Sequence, residues 1–198
     1  PQNPKTPKPQ NPIEKKGRLF LKKYYKSICN IIKYSLEMEG TDGAWGNASE
    51  AVNGLAFNQD SGCFVLATSE GIRVFNTDAF QATFFRKFEG GVRFAAMLYR
   101  TNIISFVGTG DNPSFPSTRL VLWDDIAHRP FGELNFKTDV LGCQLRKDKI
   151  VVVLINKVYV YNFEQLDCTD TFVTCTNPDG VVNFSTGEDT CVLAIPDE

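Results

Sequence analysis

The chain has 198 residues, of which 42% are hydrophobic and 12% aromatic, and this composition supports a folded core and argues against a wholly disordered protein. The formal net charge of −2 conceals a division, because residues 1–38 hold nine Lys or Arg against two Glu, whereas residues 39–198 hold twelve against twenty-one acidic residues. This large acidic part argues against nucleic acid as a partner, since phosphate contacts need clustered cations, and no run reaches the roughly 18 apolar residues of a membrane span.

The first 39 residues differ from the rest of the chain. Residues 1–16 are rich in proline and polar residues, and we expect a disordered tail. Residues 17–39 are predicted to form a basic amphipathic helix, because apolar residues follow a 4-3-4 spacing and lysines lie on the other side. The apolar residues are Leu21, Tyr25, Ile28 and Ile32. Lys22, Lys23 and Lys26 are the cations predicted to attract an anionic membrane surface. The alternatives are a helix that docks on the following domain and residues unrelated to that domain.

Residues 40–51 form a predicted linker, and short apolar runs follow it. Turn residues such as Asn, Asp, Ser and Gly separate the runs, which is typical of β-hairpins. The first four predicted strands are residues 54–57, 63–68, 72–75 and 83–88. Residues 58–62 and 69–71 are the predicted turns before and after the second strand.

The stretch from residue 97 to residue 125, MLYRTNIISFVGTGDNPSFPSTRLVLWDD, organises the next part of the chain. Glycines and prolines separate two apolar runs, and the second run ends in Trp-Asp. This pattern is typical of a propeller blade. The second set of predicted strands is residues 94–99, 103–107, 120–123 and 131–136. The GTGD sequence within the loop lacks the remaining residues of a P-loop and is predicted to be a turn.

A third set of strands is predicted at residues 140–145, 150–154, 158–161 and 171–174. The run IVVVL at residues 150–154 is continuously apolar, which indicates a strand buried on both faces. Residues 181–184 and 191–195 begin a fourth set. At about 40 to 45 residues per blade, residues 52–198 hold three blades and part of a fourth. The predicted fold is therefore an all-β, WD-repeat-type β-propeller that is incomplete in this chain, and its last strand presents an unpaired edge.

No catalytic or metal site is predicted. His128, the only histidine, is expected in an exposed loop, and no serine or cysteine has the setting of a nucleophile. Asp124 and Asp125 are neighbours at a strand end, and we expect them to accept hydrogen bonds from backbone amides in the next turn. The six cysteines lack metal-ligand spacing. Those in predicted strands are expected to be reduced and buried, namely Cys63, Cys143 and Cys191.

Three long blocks resemble the PROPPINs, which are seven-bladed WD-repeat proteins of autophagy that bind phosphoinositides. The blocks are FNQDSGCFVLATSEGIRVFN at residues 57–76, the stretch at 97–125 quoted above, and LRKDKIVVVLINKVYVYNF at 145–163. The resemblance covers residues 52–195 and is absent before them. It implies an N-terminal fragment of about three and a half blades, and a non-catalytic scaffold without a cofactor.

The resemblance also implies which functions to expect at which residues. The family holds phosphatidylinositol 3-phosphate headgroups on either side of a Phe-Arg-Arg-Gly motif, and this motif does not occur here. Residues 85–88, Phe-Arg-Lys-Phe, lie in the first blade and lack the glycine, so we predict no lipid site there. The family recruits a large autophagic lipid-transfer protein through its first three blades. Residues that match this contact are Asn58, Asp60, Asp111 and Arg119. A plain β-turn would favour the same residue types at 58 and 60.

The resemblance predicts a cytoplasmic protein that is peripheral on preautophagosomal or on endosomal and vacuolar membranes. Two alternatives of other classes stay open at this point. One is a WD-repeat protein-interaction module outside autophagy, which would be favoured if the missing part of the propeller lacked the two arginines of the lipid motif. The other is a propeller enzyme, which the absence of convergent His, Cys or carboxylate residues disfavours.

Overall fold

The computed structural model describes residues 50–78, 81–187 and 190–197. These residues contain fourteen β-strands and no helix. The predicted tail at 1–16, the predicted helix at 17–39 with Lys22, Lys23 and Lys26, and nearly all of the linker lie outside the described residues. Those interpretations therefore stay predictions.

The first blade is a four-stranded antiparallel sheet in chain order. Its strands are β1 (Val52–Phe57), β2 (Cys63–Thr68), β3 (Gly71–Asn76) and β4 (Gln81–Lys87). A glycine is required where the turn enters β3, because Gly71 has a φ of 150° and a Cβ there would lie 2.1 Å from the carbonyl oxygen of Arg86. This residue lets the strands approach closely where Gly71 pairs with Lys87.

The second blade repeats this order. Its strands are β5 (Val92–Met97), β6 (Ile103–Gly108), β7 (Arg119–Asp124) and β8 (Arg129–Asn135). The long loop between β6 and β7 is anchored by Phe115, whose ring packs edge-on against the rings of Phe88 and Phe106. The Gly and Pro residues thus mark a folded loop that covers the end of the core.

The third blade consists of β9 (Gly142–Leu145), β10 (Lys149–Val153), β11 (Lys157–Asn162) and β12 (Cys168–Val173). A two-stranded hairpin follows, with β13 (Asn183–Phe184) and β14 (Leu193–Ala194). The prediction for the IVVVL run is confirmed, because residues 150–153 have no exposed surface and Leu154 is 6% exposed. The four sheets do not close a ring, and the predicted incomplete all-β propeller is confirmed.

The core lies between neighbouring blades, because each sheet is apolar on the face that meets the next one. One cluster joins the first and second blades, and its centre is an aromatic group of Phe88, Phe106, Phe115 and Trp123. A second cluster joins the second and third blades. A third joins the third blade to the hairpin and includes Phe184. This stacking fixes where the turns of successive blades meet.

Several local predictions have different outcomes. His128 is exposed in the loop after β7, and Asp124 accepts hydrogen bonds from the amides of residues 126 and 127, as predicted. The prediction for Asp125 is wrong, because its carboxylate pairs with Arg86 of the first blade at 2.8 Å and also accepts from the Trp123 indole at 3.4 Å. Cys63 is buried as predicted, but Cys143 is only partly buried, and the prediction for Cys191 is wrong, since it precedes β14 and is exposed.

Candidate partner-binding site

The turn between β1 and β2, residues 58–62, is held from within by Asn58. The Asn58 amide nitrogen donates to the Cys63 carbonyl at 2.9 Å, and its side-chain Oδ1 accepts from the Cys63 amide at 3.0 Å. Ser61, with a φ of 57°, donates to the Asn58 carbonyl at 3.0 Å and closes the turn. Asn58 is 4% exposed, so its side chain stabilises the turn from inside.

The same turn is bonded to the second blade. The Asn58 Nδ2 donates to the Tyr99 carbonyl at 3.2 Å. The next residue, Gln59, accepts from the Tyr99 amide at 2.5 Å and donates to the Met97 carbonyl at 2.9 Å. Its Nε2 also donates to Leu145 in the third blade at 2.9 Å. Sequence reasoning assigned no role to Gln59, because a glutamine in a turn gives no signal of contacts that are 38 to 86 residues distant.

Asp60 is the exposed member of this turn. Its Oδ1 accepts from the Gly62 amide at 2.8 Å, and its Oδ2 lies 3.4 Å from Nε of Arg100 in the second blade. The side chains of Asp60 and Arg100 are 50% and 55% exposed. The Gly62 amide, more than the Asn58 and Arg100 side chains, holds the pKa of Asp60 below its usual value. Asp60 therefore presents a fixed, ionised carboxylate beside a guanidinium.

Turns of three blades meet near Gln59 and Tyr99, and we call residues 58–62, 98–102 and 146–148 the turn face. Tyr99 has a φ of 49°, and its hydroxyl donates to the Thr186 carbonyl in the hairpin at 3.2 Å. The Lys147 ammonium lies 5.4 Å from the Tyr99 ring centroid, which is within the range of a cation–π contact. The turn face thus carries adjacent positive and negative charges on turns that hydrogen bonds hold together.

Asp111 and Arg119 lie elsewhere, in and after the loop between β6 and β7. Asp111 is exposed and accepts from the Thr109 hydroxyl at 2.7 Å. Arg119 donates to the Asn135 side chain at 2.8 Å and lies 3.3 Å from Glu133, so its guanidinium is occupied within its own sheet.

The two pairs of predicted residues lie at opposite ends of β5. The Thr109 amide beside Asp111 donates to Gly91, which precedes β5, whereas the turn with Asp60 bonds to residues 97 and 99 at the other end of that strand. A strand of six residues spans about 17–20 Å. The structure therefore brings Asn58 and Asp60 together on the turn face and does not bring Asp111 and Arg119 to it.

The basic segment at residues 85–88 is occupied by contacts within the propeller. The Arg73 guanidinium lies 3.9 Å from the Phe85 ring centroid, and Arg86 forms the pair with Asp125. Lys87 lies 3.4 Å from a Glu70 carboxylate oxygen, and Phe88 is in the core. Arg86 and Phe88 thus contact the second blade, whereas the partners of Phe85 and Lys87 lie within the first blade.

A metal-binding group and an apolar helix are two further kinds of feature that could indicate a function of the described residues. No group of three or more His, Cys, Asp or Glu residues there is arranged to hold a metal ion. No helix of the described residues is long and apolar enough to cross a bilayer. The polar turn face is the candidate site because its exposed Asp60 and Arg100 lie on turns bonded across blades, and its groups are suited to hydrogen bonding and ion pairing.

Known proteins resemble the propeller part of the chain, although no family model matches the sequence. It is 40% identical over 149 residues to SVP1-like protein 2 of Pichia angusta, a match that covers 74% of this chain and 41% of that protein. It is 32% identical over 145 residues to autophagy-related protein 18 of Eremothecium gossypii, covering 73% of this chain and 27% of that protein. The chain spans less than half the length of these curated relatives.

Solved structures agree with the sequence relatives. Hsv2 of Kluyveromyces marxianus superposes with a TM-score of 0.61 at 24% identity, over 70% of this chain and 43% of that one. KlAtg21, solved in complex with the coiled-coil of AgAtg16, superposes with a TM-score of 0.60 at 22% identity, over 72% of this chain and 46% of that one. At these identities the likeness establishes the fold, which is that of a β-propeller.

Proposed function

The chain belongs to the PROPPIN family, and from that membership we propose that it is part of a non-catalytic scaffold of autophagy, which recruits a lipid-transfer protein to membranes that carry phosphatidylinositol 3-phosphate. A related propeller, KlAtg21, was solved with a coiled-coil partner. Protein recruitment by the propeller is thus an activity that the family's architecture supports. The proposed location is the cytoplasmic face of preautophagosomal or endosomal and vacuolar membranes, where the protein is peripheral.

One observation carries the partner-binding proposal, namely that the Asp60 carboxylate is exposed on a turn fixed to two further blades. An interface gains affinity when its groups are ordered before the partner arrives, because less conformational entropy is lost on binding. Asp60 makes the direct contact in this proposal, and buried Asn58 holds the turn. Asp111 and Arg119, at the other end of β5, would serve a separate contact.

Reversal of the charge at residue 60 tests the proposal. We expect Asp60→Lys to weaken binding of the purified lipid-transfer protein by about tenfold or more, which is about 1.4 kcal/mol, because a like charge would face the partner's cation or donor. Asp170→Lys, a change of an exposed aspartate on β12, is the matched control. Unchanged affinity for Asp60→Lys in biolayer interferometry would show that the turn face does not carry the contact.

Membrane attachment is proposed to have a second, electrostatic source. The chain contains no Phe-Arg-Arg-Gly sequence, so none of its residues is proposed to hold the family's lipid headgroup. Lys22, Lys23 and Lys26 of the predicted helix lie outside the described residues, and each cation near an anionic surface contributes about 1 kcal/mol. We propose that they supply a charge-dependent attraction that salt screens within about 10 Å at 0.1 M.

Vesicle flotation tests this second source. Binding should follow total negative charge, decrease as salt rises, and disappear when residues 1–38 are deleted. Vesicles with phosphatidylserine and vesicles of equal charge with phosphatidylinositol 3-phosphate should bind the chain equally. If the deleted chain floats with the phosphoinositide alone, the described residues contain a headgroup site and the electrostatic proposal is wrong.

A further inference from the structure

Gln59 uses its whole side-chain amide in contacts with other blades. The Oε1 accepts from the Tyr99 amide at 2.5 Å, and the two hydrogens of Nε2 are directed to the Met97 and Leu145 carbonyls, both at 2.9 Å. One side chain of the first blade is therefore bonded to the second and third blades together. A primary amide has two donors and an acceptor, and here each of them has a backbone partner.

The backbone groups that Gln59 contacts lie where strands end. Met97 is the last residue of β5 and Leu145 is the last residue of β9. Tyr99 follows β5 with a φ of 49°, a left-handed conformation that is uncommon for residues other than glycine. The Gln59 side chain thus joins the ends of two strands to the turn that precedes β2. Its bond to the Tyr99 amide also stabilises the left-handed conformation of Tyr99.

Asp60 is the next residue along the chain, so its position depends on these bonds. Its carboxylate is 3.4 Å from Arg100, which follows Tyr99. The pair Gln59 and Asp60 therefore faces the pair Tyr99 and Arg100 across the gap between two blades. Any rotation of the first blade relative to the second would change the Asp60 to Arg100 distance and break the bonds of Gln59 at the same time.

We propose that Gln59 is a positioning residue, which sets the orientation of Asp60 relative to the second and third blades and so prepares the turn face for its protein partner. The positioning is a property of the fold itself, and its effect on the partner rests on the proposed function. The partner segment that fits such a face runs across blade boundaries and offers a cation or donor to Asp60 and an acceptor to Arg100.

The first test needs no partner. Gln59→Met in the full chain keeps the length of the side chain and removes all three hydrogen bonds, and Gln165→Met, at an exposed position after β11, is the matched control. Hydrogen exchange resolved by residue should show the Tyr99 amide exchanging at least tenfold faster in the Gln59 variant alone. Amides in the centres of β2, β6 and β10 should keep their protection. Unchanged exchange at Tyr99 would overturn the positioning role.

The second test asks whether Gln59 acts through Asp60. We expect Gln59→Met to weaken binding of the lipid-transfer protein about fivefold to tenfold. When Asp60 is already Ala, the same change should have little further effect. If Gln59→Met weakens binding equally in both backgrounds, it does not act through Asp60 and the inference fails.

The outcomes separate the two proposals. If Asp60→Ala leaves binding intact while Gln59→Met accelerates exchange at Tyr99, the partner assignment is wrong and the role of Gln59 in the fold stands. Should Gln59→Met not fold, Gln59→Glu replaces it in both tests. That variant keeps an acceptor for the Tyr99 amide but has no donor for the Met97 and Leu145 carbonyls. We therefore expect faster amide exchange at the end of β9 and at residues 58–62 instead of at Tyr99.

Discussion

Asn58 and Asp60 are two residues apart in one turn, but their side chains have different surroundings. Asn58 is buried and bonded to Cys63 and Tyr99, whereas Asp60 is half-exposed and bonded to Gly62 and Arg100. From the sequence alone, both are polar residues of one turn and have the same expected role. At the residue scale their expected effects therefore separate, with Asn58 acting on stability and Asp60 on recognition.

Asn58→Ala should lower the free energy of unfolding by about 1–3 kcal/mol, because the Cys63 amide and the Tyr99 carbonyl would lose their buried partner. Asp60→Ala should change stability by about 0.5 kcal/mol or less, as is usual at exposed positions. Urea titration of both variants checks the contrast, and equal effects would contradict the assignment of Asn58 to the interior.

Cys143 is expected to resist modification. Its thiol lies 3.6 Å from the Ser105 hydroxyl, and burial raises the pKa of Cys143 to about 12, against a smaller lowering by Ser105. In the native chain a thiol reagent should label the exposed cysteines and spare Cys143 and Cys63, as mass spectrometry of peptides can show. Among the residues that the structure describes, the exposed cysteines are Cys168, Cys175 and Cys191.

The same pKa gives a dependence of stability on pH. The folded pKa of about 12 lies above the ordinary pKa of 9.0 for a cysteine thiol, so above pH 9 the unfolded chain loses this proton first. The contribution of Cys143 is therefore present below pH 9 and lost as the pH rises toward 12. Replacing Cys143 by Ala should make the decline in unfolding free energy over that window shallower, and an identical slope in both proteins would count against a buried, neutral thiol.

At the scale of elements, the aromatic group between the first two blades determines how the long loop is held. Phe106 is fully buried on β6, and its ring contacts Phe88 at a centroid distance of 4.7 Å and Phe115 of the loop at 5.3 Å. The loop therefore belongs to the core. Gly108 permits this approach, since a Cβ there would lie 2.0 Å from the Phe115 carbonyl oxygen.

Phe106→Ala should destabilise the chain by about 3–5 kcal/mol, because it removes a buried aromatic ring and leaves a cavity between two blades. Phe131, 44% exposed on β8, is the matched position, and Phe131→Ala should have a much smaller effect. Denaturant unfolding followed by Trp123 fluorescence measures both variants. A loss of less than about 1 kcal/mol for Phe106→Ala would show that the blades do not depend on this contact.

At the scale of the whole molecule, the described sheets leave an apolar surface at the end of the arc. The third core cluster is covered on one side by a hairpin of two short strands only. Large apolar side chains around it are at least 40% exposed, namely Phe172, Val173, Val181 and Val192. Closed propellers leave only short, protected edges. We therefore expect this apolar surface to be buried against another surface.

The isolated chain should self-associate, because burial of apolar surface contributes about 25 cal/mol per Å². Sedimentation velocity over a range of concentrations should show oligomers, and a double change of Phe172 and Val173 to Glu should reduce them. A matched double change of Thr169 and Thr171 to Glu on the same strand should not. A sharply melting monomer at high concentration would contradict the prediction.

The sequence by itself determined the strands, the turns and the family, because these depend on short-range patterns. Runs of β-branched and aromatic residues separated by Gly, Pro, Asn and Asp allow few local alternatives, and β10 and the loop before β7 follow them closely. The predicted strand at residues 171–174 differs from β12 at Cys168–Val173, and Cys191 lies outside the strand predicted for it. The sequence around both is polar or irregular, and these strands are defined by pairing with a neighbour.

Only the tertiary structure decided which polar residues act together. The separation of Asp60 from Asp111 depends on β1 and β5 lying side by side in the same direction, which the contacts of Asn53 with Val92 and of Asn58 with Tyr99 establish. The bonds of Gln59 join residues up to 86 positions apart. Local sequence patterns contain no information on such pairs, because packing between blades brings them together.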